Sequence, residues 1–178
     1  EKYLESNGME VILPRMYGIY RHLFLQHTIA EMKEFKVKHS LYDTVFAKGG
    51  NIFMDIAVKY TDSVAKAHPL YEPDISLKEA AKLSDHIIHH SILSGESFLI
   101  TADILHYAAK GIRSFVILQP FGCLPNHICG RGVIRKIKEN HPDIMILPLD
   151  YEPDVSFANI ENRLQMLIMN TRSLKKVS

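Results

Sequence analysis

Residues 113–132 read RSFVILQPFGCLPNHICGRG. The apolar run at its start predicts a buried strand. A loop stiffened by Pro120 and Pro125 follows, then helical spacing through Ile128, Val133, Ile134 and Ile137. DIMILPLDY at 143–151 predicts a second strand, and FANIENRLQMLIMN at 157–170 a helix. Upstream, ESFLITADILHYAAK at 96–110 reads as a helix closed by Gly111. Helix, strand, helix, strand, helix, with strands too apolar to face water, argues for a parallel sheet covered on both faces. The expected fold class is α/β: a small doubly wound, Rossmann- or flavodoxin-like parallel sheet with a helical insertion or cap.

The first half fits around that sheet. MEVILP at 9–14 reads as a further strand of three or four. Residues 17–36 carry helical spacing through Tyr20, Leu23, Phe24, His27, Ala30 and Glu31. Lys48-Gly49-Gly50-Asn51 reads as a break. A helix over 52–67 then places Phe53, Ile56, Ala57, Tyr60 and Val64 on one face, and Pro69 ends it. Ser76 and Glu79 form a capping-box pattern that opens a helix over 77–91, stopped near Ser94-Gly95. The expectation is a single domain over 1–178, with 17–92 a mostly helical insertion and 95–170 the α/β core. The last eight residues read as a frayed tail. The chain opens on Glu1, and EKYLES reads as a helix tail stopped by Asn7-Gly8; the expectation is a piece of a longer protein.

Composition narrows the function classes. The 178 residues are 47% hydrophobic, enough for a sizeable core. With 21 basic against 20 acidic residues, no charge excess calls for nucleic acid or an anionic membrane. No apolar run approaches the ~20 residues of a membrane helix, and no secretory leader is visible. Two cysteines make no disulfide framework, so a reducing cytoplasm is expected.

In open parallel α/β sheets, ligands bind beyond the carboxyl ends of the strands, where Cys123 sits. Gly122 permits a turn, and the helix starting near Asn126 offers a positive end that favours a thiolate. From placement alone an inert Cys123 is still the commoner outcome. Cys129, six positions on, lacks ligand-pair spacing and reads as a packing residue. His86, His89 and His90 would share one helical face, a geometry zinc can use, although a solvated face is the simpler reading. GRG at 130–132 lacks the frame of a nucleotide loop. Glu96 and Asp103 would lie on one face of a helix as a surface pair. Two YEPD copies, at 71–74 and 151–154, are turn chemistry, and Asp150 and Glu152 line the sheet's functional edge.

GESFLITADIL, FVILQPFGCLPNHICGRG and MILPLDYEPDVSFANIENRLQMLI, in that order, resemble the C-terminal region of the activase-related branch of the 2-hydroxyacyl-CoA dehydratase family. QPFGCLPNH is the most specific phrase, and the resemblance covers about residues 95–170. It implies an iron–sulfur protein in ATP-dependent low-potential electron transfer. It also implies a 4Fe–4S cluster in the full-length protein, an ATP-dependent activator module or other domains as partners, and an acyl-CoA-type substrate. Cys123 would be the single ligand this region contributes, with Gly122 and Asn126 at the cofactor. A cluster needs ~4 ligands, so this chain holds no complete cluster by itself. The alternative from another class is a non-catalytic structural or docking domain whose partner surface lies in 17–92.

Overall fold

The computed structural model describes residues 1–14, 16–26, 40–90, 92, 95–154 and 156–177. The chain divides into two compact units, 15–102 and a second made of 1–14 with 103–178.

The second unit holds the strands. β1 (Ser114–Pro120) and β2 (Met145–Tyr151) form a two-stranded parallel sheet in the register Ser114 to Met145 through Pro120 to Tyr151. The architecture is mixed helix and strand with a small parallel sheet. The expected third strand is absent: residues 9–14 are irregular, and Ile12 and Leu13 are exposed. An apolar run becomes a strand only where an edge receives its N–H and C=O groups, and among the described residues 9–14 has none. Gly8, at φ +77, does stop the first helix, α1 (Lys2–Ser6), with Met9 N–H donating to the Leu4 carbonyl.

Nor is β1 covered on both faces. Ile117 and Gln119 are buried, while Leu118 is 58% exposed. One core cluster of this unit spans both strands: Leu149, Ile160 and Leu164 pack with Val116, Leu147, Tyr3 and Leu4. Ile160 and Leu164 belong to α7 (Phe157–Val177), which also buries Leu167 and Ile168, the i, i+4, i+7, i+8 stripe of a one-faced helix. That helix runs through the residues expected to fray. Arg163 of α7 donates to the Pro148 carbonyl at 2.7 Å, and Arg172 donates to the Asn7 carbonyl at 2.6 Å.

The first unit is helical. α2 (Tyr17–Gln26) buries His22 completely and leaves Tyr20 exposed. Positions 27–36, including His27, Ala30 and Glu31, lie outside the described residues. α3 (Leu41–Ala65) runs straight through Gly49-Gly50, where a break was expected. A glycine costs a helix interior roughly 1 kcal/mol. Here a capping box starts the helix instead: the Ser40 hydroxyl accepts from Asp43 N–H, and the Asp43 carboxylate accepts from Ser40 N–H. The side of α3 that packs inward is Ala47 and Met54. Phe53, Ile56, Tyr60 and Val64, from the face that the spacing predicted, are exposed.

The capping box at Ser76 and Glu79 forms as expected and opens α4 (Leu77–Ser84). That helix ends before the histidines. α5 (Leu99–Ala109) starts after Glu96, so the Glu96–Asp103 pair on one helical face is not formed.

Candidate functional site

The site is built where both strands end. Phe121 N–H donates to the Tyr151 carbonyl at 2.8 Å, the last rung joining the two strand ends. The chain then turns: Cys123 N–H donates to the Pro120 carbonyl at 3.0 Å, and Gly122 has φ +74. That is the third position of a type II turn, where a side chain is strained. A Cβ there would meet nothing within 4 Å, so backbone conformation alone requires the glycine.

Cys123 is half-buried and sits just before a helical segment, as expected. After one turn that segment widens into a π-helix, Asn126–Arg131. π-turns are rare and often occur at functional positions. Gly132 closes it, donating to the His127 carbonyl five residues back at 2.8 Å. A Cβ at Gly132 would lie 2.6 Å from the Ile128 carbonyl oxygen. Gly132 therefore serves helix geometry.

Around the thiol the contacts converge. Asn126 Nδ2 donates to Cys123 Sγ at 3.1 Å. The Asn126 carbonyl in turn accepts from Gln119 Nε2 at 3.0 Å, and Gln119 is fully buried. The Cys123 carbonyl accepts from His127 N–H at 3.1 Å and lies 2.8 Å from His127 Nδ1. A carbonyl only accepts, so the proton belongs on Nδ1. In the neutral ring Nε2 then carries a lone pair, and it lies 3.8 Å from Asp150 Oδ1, a buried oxygen without a hydrogen-bond partner among the described residues. Asp150 Oδ2 pairs with Arg131 at 3.2 Å.

Cys129 is fully buried, away from solvent chemistry. His86, His89 and His90 do not share a helical face, because α4 stops at Ser84. His86 and His89 are exposed, and His90 tilts against Phe98 with ring centres 4.9 Å apart. Among the described residues no three His, Cys, Asp or Glu side chains converge as a metal site. Cys123 could supply one ligand to a group held jointly with another protein region, and its Asn126 contact suits a ligating sulfur. The expected residues Cys123, Gly122 and Asn126 are thus adjacent, with Asp150 nearby. The sequence reading missed Gln119, His127 and Arg131. The register of the two parallel strands, which pairs Gln119 with Asp150, brings Gln119 to the site.

Below this edge an open hollow of about 680 Å³ runs between α6 (Ile134–Asn140) and β2. Arg131, Arg135, Lys138 and Glu139 rim it, over Ile134, Ile146 and Pro148, and Arg135 pairs with Glu139 at 3.0 Å.

Compared with known proteins, the chain matches no family model, no curated protein and no solved structure. No helix among the described residues is long and apolar enough to cross a membrane.

Proposed function

We propose that this chain is an electron-transfer domain that contributes one thiolate, Cys123, to an iron–sulfur cluster completed by ligands from another domain or subunit. This is the role implied by its resemblance to the activase-related branch of the 2-hydroxyacyl-CoA dehydratases. The observation that carries the reading is the Asn126 amide N–H aimed at Cys123 Sγ from 3.1 Å. N–H donors on sulfur hold charge on ligating thiolates and tune cluster potential. Around the same loop Phe121, Leu124 and Ile128 are 73%, 60% and 41% exposed. Such an apolar surround suits a cluster that is buried only when the other ligand-bearing surface closes over it. Two seven-residue parallel strands are also a short sheet by themselves. The proposal includes further strands, from that other region, that extend the pair into a doubly wound sheet. The hollow rimmed by Arg131, Arg135, Lys138 and Glu139 over apolar side chains is wide open to solvent. The proposal places an acyl-CoA-type substrate there, its phosphates displacing Glu139 from Arg135 and Asp150 from Arg131.

Anaerobic reconstitution with iron, sulfide and excess small-molecule thiol tests the ligand. Sulfur-to-iron absorption is expected in the wild type and in Cys129→Ser, and its loss in Cys123→Ser. Equal iron content in the wild type and Cys123→Ser refutes the assignment.

The second reading, a docking domain without chemistry, is favoured by one observation, the exposed apolar face of α3. Slow alkylation of Cys123 at neutral pH, like that of a buried thiol, with no iron uptake in any variant would select it.

A further inference from the structure

We propose that His127 and Asp150, with Gln119 beside Asp150 on the sheet, form a binding site for one divalent transition-metal cation of the zinc class.

Each of these side chains is committed at one end, and that commitment decides what its other end presents. Gln119 Nε2 donates to the Asn126 carbonyl at 3.0 Å. Turned over, the amide would set Oε1 against that carbonyl, acceptor against acceptor, so Oε1 is the atom left over. Gln119 is fully buried, and its Oε1 has no hydrogen-bond partner among the described residues. His127 Nδ1 lies 2.8 Å from the Cys123 carbonyl, which can only accept. The proton is therefore on Nδ1, and Nε2 of the neutral ring presents a lone pair. Asp150 Oδ2 accepts from Arg131 at 3.2 Å, while its Oδ1 is buried with no hydrogen-bond partner among the described residues.

Three acceptors are thus left without a donor near one strand end. His127 Nε2 and Asp150 Oδ1 stand 3.8 Å apart, too far for a hydrogen bond and with no proton between them. Gln119 and Asp150 are partners in the parallel register, so their side chains leave the same side of the sheet. Buried acceptors are normally satisfied, and a cation is the group that several acceptors satisfy together.

The gap fits such an ion. Zinc lies ~2.1 Å from an imidazole nitrogen or a carboxylate oxygen. A tetrahedral ion at those lengths holds two donors about 3.4 Å apart, within about 0.4 Å of the gap between His127 and Asp150. The outer contacts are those of a ligand set. A metal-bound imidazole passes its other N–H to a backbone carbonyl or a carboxylate, and a metal-bound carboxylate is itself hydrogen-bonded. His127 does the first through Nδ1 and Asp150 the second through Oδ2. Arg131 is 54% exposed, so water screens its charge from the ion. Imidazole in the set favours zinc and its neighbours over magnesium and calcium, which take oxygen. With the Gln119 amide oxygen as third donor, the fourth position is left to water. Cys123 Sγ stays outside the set, on Asn126. The bound ion ties β2 to the π-helix.

Zinc titration of the full chain, stripped of metal and kept reduced without iron or sulfide, tests the site through NMR of the histidine ring nitrogens. Metal-free, the His127 ring is expected to be neutral and protonated at Nδ1. Zinc then moves its Nε2 signal along a curve that saturates at one equivalent. Asp150→Asn keeps the side chain's size and removes its charge; it weakens the response by at least about tenfold with unchanged circular dichroism. His127→Gln, a second and separate variant, loses one zinc equivalent in competition against a chromophoric chelator. Cys123→Ser leaves the His127 response in place. A His127 ring that zinc does not move overturns the proposal and leaves a bridging water as the occupant. So does a response undiminished in Asp150→Asn, or one lost in Cys123→Ser, which would make the thiol the ligand. A metal-free ring protonated at both nitrogens also overturns it, because Nε2 then donates to Asp150 directly. Every readout is taken without iron, so failure here leaves the Cys123 cluster assignment standing.

Discussion

Lowering pH should weaken the helical unit through one residue, His22. Its ring is fully buried, with Phe98 meeting it edge-on at 5.1 Å between centres. Neither ring nitrogen has a hydrogen-bond partner among the described residues. Burial without a counter-charge disfavours the imidazolium and pushes its pKa down from 6.5 to about 4. The unfolded chain, with an ordinary imidazole, binds a proton that the folded chain refuses between those values. Stability therefore rises with pH across this window, is complete above 6.5, and is lost as pH falls toward 4. At 1.36 kcal/mol per pH unit the full window is worth at most about 3 kcal/mol, and about 2 kcal/mol of it is gone by pH 5. Urea unfolding at pH 7.5, 6.0 and 5.0, followed by helical circular dichroism, measures this directly. His22→Leu removes the titrating group and two unpartnered buried nitrogens, each costing ~1–3 kcal/mol to bury. The variant should match or exceed the wild type at pH 7.5 and show a flatter loss down to pH 5.0. Parallel pH profiles for the two proteins would refute the reasoning.

Two further substitutions probe the strand-end site. Asn126→Ala removes the N–H donor on Cys123 Sγ, a contact of ~1.5 kcal/mol, and should slow thiol alkylation at neutral pH by about tenfold; an unchanged rate would show that the donor does not act on the sulfur. Gly132→Ala puts a methyl group 2.6 Å from a backbone oxygen that cannot swing away, and should cost ~1–3 kcal/mol in thermal or urea unfolding while Gly122→Ala is strained by its positive φ instead.

The strand-end loop was legible because its residues carry local instructions. Two apolar runs of strand length bracket a helix, and Gly122 and Pro120 can only mark a turn. The misread segments are those where a neighbour decides. Residues 9–14 are as apolar as a strand, yet pairing is a property of two segments, and among the described residues no edge meets them. Gly49-Gly50 looks like a break because its local penalty is visible. The cooperative gain of a 25-residue helix, set going by a cap at Ser40 nine residues earlier, is not. The stripe on α3 was legible from periodicity, which reports that a stripe exists but not what it meets. The π-helix left even less trace. Over six residues its spacing cannot be told from an α-helix, and Gly132 is the one residue whose identity betrays it.

One pair of strand residues explains why this edge can hold chemistry at all. Gln119 and Asp150 are partners in the parallel register, so their side chains rise on the same side of the sheet. Gln119 binds the carbonyl of Asn126, the first residue of the π-helix, and Asp150 binds the guanidinium of Arg131, the last. The two strands thus grip both ends of the widened helix. With its carbonyl held by a fully buried amide, Asn126 has its backbone fixed, and its side chain is left to reach back onto Cys123 Sγ. His127, next along, returns to the Cys123 carbonyl through both its backbone N–H and its ring. The thiol is therefore placed by hydrogen bonds that trace back to β1 and β2, so its orientation is set by the sheet and not by the loop that carries it.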